Sequence, residues 1–363
     1  MKVAIDARTL QSQPLGGVGR ALAALLARIA PDGADSQNGI EELHLLLDDR
    51  LPTPASVPAG AGVHRLRAPR PGGVPWLQWA APRWLARHGV DVFHCPFYGL
   101  PYRQPVPMVV TIYDLSFQRN PEWFSRRQRS AFLVQSGHAA RTAAVVLTGS
   151  EQVAADIETC LGVEPARIKV AAPELPSGFA DRAARARPAG GGHYVLALGG
   201  AARRRLPVAV AAWQQARRRG LEAGLVVVGT EAPPPGPEAI RWVGPVGDDQ
   251  WAGLLAGAQS FVYPTAYEGF GLPALEAAAA GAPVVCAAVG ALGEVLRDAP
   301  AWVDRPAVGP VADALLRIGT DPAYRRQRSE AGQYRAAELA HRAGGPEGAA
   351  AVTVAAYRRA AGR

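Results

Sequence analysis

The sequence predicts an α/β protein with two open-sheet domains in series. Short apolar runs alternate with longer helical patterns in the first half, and the same rhythm restarts at Tyr194. Between the halves, Pro173–Gly192 is rich in Pro, Ala, Gly and Arg and has neither period, which is typical of an interdomain linker. A repeated strand-helix-strand pattern indicates parallel sheets that are covered by helices on both faces.

The first half contains five apolar runs that predict buried strands, and three amphipathic patterns that predict helices. The last of these helices stops near Gly162, a favourable end signal. The predicted strands are Val3–Asp6, Leu43–Leu47, Val90–Phe93, Met108–Ile112 and Ala144–Thr148, and the predicted helices are Arg20–Ala30, Pro75–His88 and Glu151–Cys160.

The second half repeats the pattern with four predicted strands and then ends in helices. Gly220 closes the first of its helices, and two acids open the second. The predicted strands are Tyr194–Leu198, Gly224–Val228, Ser260–Tyr263 and Pro283–Ala287. The predicted helices are Leu206–Arg219, Asp248–Gly257, Pro273–Ala280, Val308–Ile318, Pro322–Leu339 and Glu347–Arg359.

Composition is that of an ordinary globular protein with a basic surface. Of 363 residues, 48% are hydrophobic and 19% charged, which is enough apolar content for two cores. The formal net charge is +8. A basic protein suits nucleic acid, an anionic membrane face or a phosphate-bearing ligand. The arginines are scattered, and no basic stripe with interleaved aromatics appears, so we do not expect a nucleic-acid partner.

Cysteine usage and the N-terminus favour a cytoplasmic protein. Cys95, Cys160 and Cys286 are odd in number and far apart, so they predict neither a disulfide framework nor a zinc site. Met1–Asp6 reaches an acid too early for a signal peptide. The most apolar stretch, Gly271–Leu292, is interrupted by Pro, Gly and Glu and cannot span a membrane as one helix.

The strongest chemical signal lies between Glu268 and Glu276. The loop after a predicted strand contains Gly269 and Gly271, and Pro273 occupies a position where helices begin. The first turn of a helix offers free amides and a positive dipole end to an anion, and glycines let a ligand approach the backbone. Carboxylates accept hydrogen bonds from sugar hydroxyls. This segment therefore suits a nucleotide sugar, although a structural loop with an acid in its helix would look similar.

The segment resembles the E-x7-E signature of the family-4 glycosyltransferases, which are retaining enzymes of the GT-B fold. The resemblance extends over nearly the whole chain, because weaker matches follow in the family's order. They are Asp6–Arg8, Gly16–Arg20, Asp91–Pro96, Val110–Leu115, Thr148–Glu151, Arg203–Pro207 and Gly244–Val246.

The resemblance implies an architecture as well as a motif. It implies two Rossmann-like domains that face a central cleft: an N-terminal acceptor-binding domain over residues 1–175 and a nucleotide-sugar-binding domain over residues 176–345. It also implies that the C-terminal helix, residues 346–363, packs back on the N-terminal domain.

The same resemblance assigns expected roles. Glu268 would hold hydroxyls of the donor sugar, and Glu276 would hold the ribose hydroxyls. Arg203 and Arg204 would neutralise the departing diphosphate, because a guanidinium matches two phosphate oxygens. Tyr113 and Asp114 complete the catalytic candidates. The donor-binding candidates are Gly16, Gly17, Ser150, Gly244, Val246, Phe270, Gly271, Leu272 and Glu276.

The implied reaction is front-face displacement with retention, in which the leaving phosphate itself takes the acceptor proton. Catalysis is then mainly electrostatic stabilisation of the leaving group. We expect no metal and no cofactor beyond the nucleotide-sugar substrate, since the chain has no D-x-D motif. GDP-mannose is the first candidate donor, and UDP- and dTDP-sugars stay open. The acceptor is a saccharide, a lipid-linked sugar or a small natural product.

Three departures from the family pattern bear on activity. Tyr113 replaces the usual histidine, and a phenol donates a hydrogen bond but does not carry charge easily. Arg204 and Arg205 replace the usual lysine and asparagine, which keeps the positive charge. His94 follows a predicted strand near Tyr113. It is a candidate to compensate for the missing histidine, but we interpret it as a structural residue.

Two other functions remain open. The first is an altered relative that binds a nucleotide sugar without transferring it. The second is an NAD-dependent oxidoreductase, suggested by Gly17-Val18-Gly19, although a third glycine is missing at position 22 and the loop from Ala7 to Leu15 is long. The tryptophans of Trp76–Leu85 recur near helical spacing and predict a core-facing helix. Contact of that helix with a membrane face is the alternative.

Overall fold

The computed structural model describes residues 1–12, 15–35, 38–186, 193–230, 232 and 240–363. They form two compact units, one from Met1–Ser177 with Arg342–Arg363 and one from Gly178–His341. Each unit contains one parallel sheet, so the predicted α/β class with two Rossmann-like domains is confirmed. The C-terminal helix belongs to the N-terminal unit.

The N-terminal unit has a seven-stranded sheet in the order β3-β2-β1-β4-β5-β6-β7. Its strands are β1 (Lys2–Asp6), β2 (Glu42–Asp48), β3 (Gly62–Leu66), β4 (Val92–Cys95), β5 (Met108–Thr111), β6 (Val145–Thr148) and β7 (Ile168–Val170). Its helices are α1 (Gly17–Ile29), α2 (Gly73–Pro75), α3 (Ala81–His88), α4 (Ser116–Arg119), α5 (Arg126–Thr142), α6 (Glu151–Leu161) and α14 (Ala349–Ala360).

Side chains alternate between two cores on opposite faces of this sheet. Val3 and Ile5 join a buried cluster with α1 and α14, whereas Ala4 joins a second cluster that includes Trp76 and Trp84. This is the period-two alternation of a strand covered on both faces. The predicted helix at 75–88 therefore faces the core with two of its tryptophans, and it runs through a π-helical turn, Trp76–Ala80.

The second unit has a six-stranded sheet in the order β10-β9-β8-β11-β12-β13. Its strands are β8 (Tyr194–Leu198), β9 (Gly224–Val228), β10 (Ile240–Gly244), β11 (Ser260–Val262), β12 (Val284–Ala287) and β13 (Ala301–Val303). Its helices are α7 (Phe179–Ala186), α8 (Leu206–Arg218), α9 (Asp248–Gly257), α10 (Leu272–Ala279), α11 (Leu292–Leu296), α12 (Val308–Thr320) and α13 (Pro322–Ala343), the last of which runs past the unit boundary.

The boundary between the two units, Ser177 to Gly178, lies within the predicted linker Pro173–Gly192, but part of that segment is helical. Phe179–Ala186 forms α7, because Phe179 and Ala183 lie one turn apart and are both buried. The Ala- and Arg-rich composition concealed this short amphipathic period. Residues 187–192 of the linker lie outside the described part of the chain.

Candidate active site

The carboxyl end of β11 in the second unit carries the first signature carboxylate. Glu268 is 7% exposed, and its Oε1 accepts a hydrogen bond from the Tyr263 hydroxyl at 2.5 Å. Arg203 Nε lies 3.4 Å from the same oxygen. A buried carboxylate is stable only when it is paired and hydrogen-bonded, and these two donors meet that need.

The loop then turns into α10 at a position that requires glycine. Gly271 has φ +96° and precedes the first residue of the helix, and a Cβ there would lie 2.3 Å from Leu292 Cδ2. Pro273 occupies the first turn, as its sequence position predicts. Glu276 follows on the buried side of the helix, 2% exposed, and its Oε2 accepts a hydrogen bond from Trp251 Nε1 at 2.7 Å.

The arginine loop after β8 is fixed to the Glu268 loop through its backbone. Arg203 and Arg204 lie in a short 3-10 helix, and the Arg203 carbonyl accepts hydrogen bonds from Thr265 Oγ1 at 3.1 Å and Ala266 N at 2.8 Å. Arg204 Nη1 donates to the Gly199 carbonyl at 2.5 Å. Both arginines therefore lie at the carboxyl edge of the same sheet as Glu268.

Arg205 explains one departure from the family pattern. It has φ +52°, in the left-handed region where asparagine is the most tolerated residue other than glycine. Here an arginine takes that conformation, and its Nη1 donates to the Pro306 carbonyl at 3.0 Å. The side chain of Arg205 is thus anchored to backbone away from Glu268, which leaves Arg203 and Arg204 as the candidates for phosphate.

The remaining candidates of the second unit line the same edge. Gly244 ends β10 with φ +71° and has open space beside its Cα, and its carbonyl accepts from Gly229 N at 2.9 Å. Val246 and Leu272 are half-buried, and Phe270 is buried. Residues 231 and 233–239, which precede β10, lie outside the described part of the chain.

In the N-terminal unit, α1 begins at the glycine loop. Gly16 is the N-cap and Gly17 the first helical residue; both are exposed, and a Cβ at either would meet nothing within 4 Å. The amides of this first turn thus meet the steric requirement for a close phosphate, with the helix dipole in the favourable direction. The preceding residues 13–14 are not described.

Asp114 and Ser150 have structural hydrogen bonds in the described chain. Asp114 Oδ1 accepts from the Tyr98 hydroxyl at 2.8 Å and from the amide and hydroxyl of Ser116 at 3.0 and 2.7 Å. Ser150 is buried and caps α6 by accepting from Val153 N at 3.2 Å. Their predicted contacts with the donor stay predictions.

A small cavity of about 20 Å³ lies within the N-terminal unit beside Tyr113, and His94, Thr111 and Glu174 also line it. Burial raises the pKa of the Tyr113 phenol, which therefore stays protonated. Burial also raises the pKa of Glu174.

His94 is a structural residue. Its ring nitrogens pair with the Tyr357 hydroxyl and Thr111 Oγ1, each at 2.7 Å, and burial lowers its pKa to about 3. The His94 imidazole is therefore neutral, and both of its ring nitrogens are hydrogen-bonded in the core. It does not supply the positive charge that a histidine at position 113 could carry.

Comparison with known proteins identifies the family. The model described as "Glycosyltransferase Family 4" matches residues 15–173, and the one described as "Glycosyl transferases group 1" matches residues 192–321. D-inositol 3-phosphate glycosyltransferase of Kribbella flavida is 30% identical over 289 residues, which are 71% of this chain and 67% of that protein. The chain belongs to the family-4 glycosyltransferases.

Other relatives of this glycosyltransferase agree. MMP alpha-(1->4)-mannosyltransferase of Mycolicibacterium hassiacum is 27% identical over 350 residues, 86% of this chain and 82% of that protein. The match to O-antigen chain mannosyltransferase B of Escherichia coli is local: 44% identity over 86 residues, 24% of this chain and 23% of that protein. In fold, the chain resembles Anabaena HepE in complex with UDP-glucose, with a TM-score of 0.64 at 15% identity over 93% and 95% of the two chains.

Four residues that contact the candidate site residues were not predicted from the sequence. Trp251 donates a hydrogen bond to Glu276 and Tyr263 donates one to Glu268. Thr265 donates to the Arg203 carbonyl, and Gly290 lies against the Glu268 backbone. Trp251 and Gly290 are distant in sequence from Glu268 and gave no local signal. Tyr263 and Thr265 did give one, because polar atoms at the end of a buried strand need partners.

The described residues contain neither a cluster of metal ligands nor a membrane-spanning helix. Among them, no group of three or more His, Cys, Asp and Glu side chains has an arrangement that would hold a metal ion. Within the same residues, no helix is both long and apolar enough to cross a bilayer.

Proposed function

We propose that this family-4 glycosyltransferase transfers a hexose from a nucleotide sugar to a hydroxyl group, with retention at the anomeric carbon. The observation that carries the proposal is the cluster at the carboxyl edge of the second sheet. There Glu268, Arg203 and the start of α10 adjoin, and Glu276 lies one turn into the same helix. Acceptors for sugar hydroxyls and donors for phosphate thus lie side by side, as a nucleotide sugar requires.

The proposed chemistry needs no protein base. The acceptor oxygen forms a bond to the anomeric carbon as the bond from that carbon to the phosphate oxygen breaks. The acceptor proton passes to the leaving phosphate on the same face. Arg203, Arg204 and the first amides of α10 oppose the charge that develops on the leaving group. We therefore also propose that the reaction proceeds without a metal ion.

The donor we propose first is GDP-mannose. Its support is that two relatives are named mannosyltransferases. A UDP-sugar is the alternative, because the HepE structure contains UDP-glucose, and a dTDP-sugar is a further one. For the acceptor we propose a hydroxyl of a saccharide, a lipid-linked sugar or a natural product, as in polysaccharide biosynthesis.

A second candidate function follows from Tyr113. Its neutral phenol stands where the family has a histidine, and His94 supplies no charge in its place. A relative that binds the nucleotide sugar without efficient transfer would have these properties. Steady hydrolysis or transfer of any donor would rule it out.

The test is calorimetric titration with GDP, UDP, dTDP and NAD in the absence of metal. One nucleoside diphosphate should bind, and NAD should not.

Glu276→Ala should weaken that binding about 10- to 100-fold, because hydrogen bonds to a charged group contribute about 1.5–3 kcal/mol. Glu268→Ala should leave the nucleotide affinity near wild type and lower kcat. Equal losses of affinity in both variants would refute the division of roles, and binding of NAD alone would refute the function.

We also propose that the N-terminal unit contacts an anionic membrane face through an aromatic patch formed by Trp79, Tyr102 and Val134. Trp79 is 53% and Tyr102 63% exposed. The Gln78 side chain accepts a hydrogen bond from Tyr102 N at 2.9 Å, so the segment that carries Trp79 contacts the segment that carries Tyr102. Tyr102 packs on His138, one turn from Val134 on α5.

The charge around the aromatic patch suits anionic lipid. The sequence has no Asp or Glu from residue 50 to 90, from 92 to 113 or from 123 to 150. Arg83 lies over the Trp79 ring at 4.9 Å, and Arg87 and Arg103 are exposed. Exposed Trp and Tyr with arginine nearby are the anchors of interfacial proteins.

Trp79→Ser should weaken binding to phosphatidylglycerol-containing vesicles several-fold, because an interfacial anchor is lost while the charge is kept. Co-sedimentation measures it, with phosphatidylcholine vesicles as the neutral reference. Trp242→Ser is the matched control, since Trp242 is 48% exposed in the second unit. Equal sedimentation of Trp79→Ser and wild type, or no preference for anionic vesicles, would refute the contact.

A further inference from the structure

We infer that two buried aromatic side chains, Trp251 and Tyr263, are positioning residues that hold the two signature carboxylates for the donor. The inference rests on the proposed function, in which Glu276 binds the ribose and Glu268 the transferred sugar. Neither aromatic residue belongs to the E-x7-E segment, and each reaches its carboxylate from outside it.

Trp251 acts on Glu276 from a different helix. It lies in the first turn of α9, is 5% exposed, and donates from Nε1 to Glu276 Oε2 at 2.7 Å. An indole N–H is a donor only, so the carboxylate oxygen of Glu276 is the acceptor in this bond. Because both partners are buried, the bond fixes the rotation of the carboxylate and hence the direction of its oxygen atoms.

Tyr263 holds the Glu268 carboxylate in the same way, by a hydrogen bond from its hydroxyl. The ring of Phe261 lies between Tyr263 and Trp251 and contacts both. Phe261 and Tyr263 lie on the same face of the chain at β11, with ring centroids 5.3 Å apart, and Trp251 packs edge-on to Phe261 at 6.0 Å. Burial raises the pKa of Tyr263 well above its usual value, so its hydroxyl remains a donor. The contacts therefore form one continuous series within the second unit, in the order Glu276, Trp251, Phe261, Tyr263 and Glu268.

A buried carboxylate without a donor would pay for its burial by protonation or by turning towards solvent. Either response would remove the acceptor that a sugar hydroxyl needs. The aromatic donors therefore hold the carboxylates of Glu268 and Glu276 in one orientation before the ligand arrives, which is how preorganised sites gain affinity.

The decisive experiment compares Trp251→Phe with wild type in binding two ligands. One is the nucleoside diphosphate that binds in the titration above, and the other is its 2′,3′-dideoxy counterpart. Wild type should prefer the ribose form at least about tenfold. Trp251→Phe should lose most of that preference by weakening only the ribose form, about tenfold, and should raise the donor KM with little change in kcat.

Trp213→Phe is the matched control. Trp213 is also buried in the second unit, and its Nε1 donates to the Ala223 carbonyl at 2.9 Å, away from the signature. This variant should keep the ribose preference even where it lowers the melting temperature. A general packing defect at Trp251 would weaken both ligands equally, and that outcome would overturn the inference.

The outcomes separate the inference from the function on which it rests. If wild type binds both ligands equally, the ribose role of Glu276 is wrong whatever Trp251 does. If wild type prefers ribose and Trp251→Phe keeps the full preference, the role of Trp251 is wrong. In a Glu276→Gln background, Trp251→Phe should add little further loss, and a fully additive loss would also count against coupling.

Tyr263→Phe tests whether Tyr263 positions the Glu268 carboxylate. We expect kcat to fall about tenfold while the affinity for the nucleoside diphosphate stays within twofold, because Glu268 contacts only the transferred sugar. Tyr194→Phe is the control, since the Tyr194 hydroxyl donates to the Leu254 carbonyl at 2.7 Å in the same unit. Unchanged kcat in Tyr263→Phe, or an equal loss in both variants, would overturn this role of Tyr263.

Discussion

Replacing Arg204 with alanine should lower kcat about 100-fold while the nucleotide affinity falls much less. The leaving diphosphate gains charge in the transition state, so a preorganised cation there contributes more to turnover than to ground-state binding. Arg204 is preorganised, because its Nη1 is anchored on the Gly199 carbonyl. Among the described residues its buried Nε has no hydrogen-bond partner, so the protein does not use all the donors of this guanidinium. Single-turnover and steady-state kinetics measure the loss in kcat, and titration with the nucleotide measures the loss in affinity.

Two further variants test whether Arg204 acts through its positive charge. Arg204→Lys should recover most of the turnover, because the family has lysine at this position and the charge is kept. Arg217→Ala is the control for a lost arginine: Arg217 donates to the carbonyls of Leu221 and Glu222 at the other end of α8, and its removal should leave kcat unchanged. Wild-type turnover in Arg204→Ala would transfer the role to Arg203.

The sequence predicts the interior of both sheets and not their edges. Every strand predicted from an apolar run lies inside a sheet, whereas β3, β7, β10 and β13, which no run predicted, are the four outer strands. An outer strand pairs on one side only and is less covered by helices. In β3, Val63 and Arg65 are exposed and His64 is half-buried, so the apolar run that marks a buried strand is missing.

The site was predictable to the extent that it is local. Gly271, Pro273 and Glu276 follow one another along the loop and helix start, and the structure gives each the local position that its residue type suggests. Trp251 and Gly290 could not be found in this way, because their roles depend on contacts between elements that are distant in sequence. Such contacts arise from packing, which a single sequence does not display.

Gly290→Ala should lower kcat/KM at least about 100-fold, although Gly290 touches neither substrate in the proposed arrangement. A Cβ at Gly290 would lie 2.1 Å from the Glu268 carbonyl oxygen and 3.0 Å from its backbone nitrogen, which are atoms that no rotamer change can move aside. The next residue, Ala291, donates from its amide to the same carbonyl at 2.9 Å. The Glu268 backbone must therefore shift, and a displacement of about 1 Å is enough for a loss of this size.

The backbone angle of Gly290 adds a cost that must be separated from the clash. Its φ of +55° is unfavourable by roughly 1–2 kcal/mol for a residue with a Cβ. Gly162→Ala is the matched control, because Gly162 has φ +66° with nothing within 4 Å of a Cβ. Both variants should unfold at lower temperature, but only Gly290→Ala should lose turnover. If the two variants lose stability equally and both keep wild-type kcat/KM, the Glu268 loop does not depend on Gly290, and the position of the carboxylate must be set by Tyr263 and Arg203 alone.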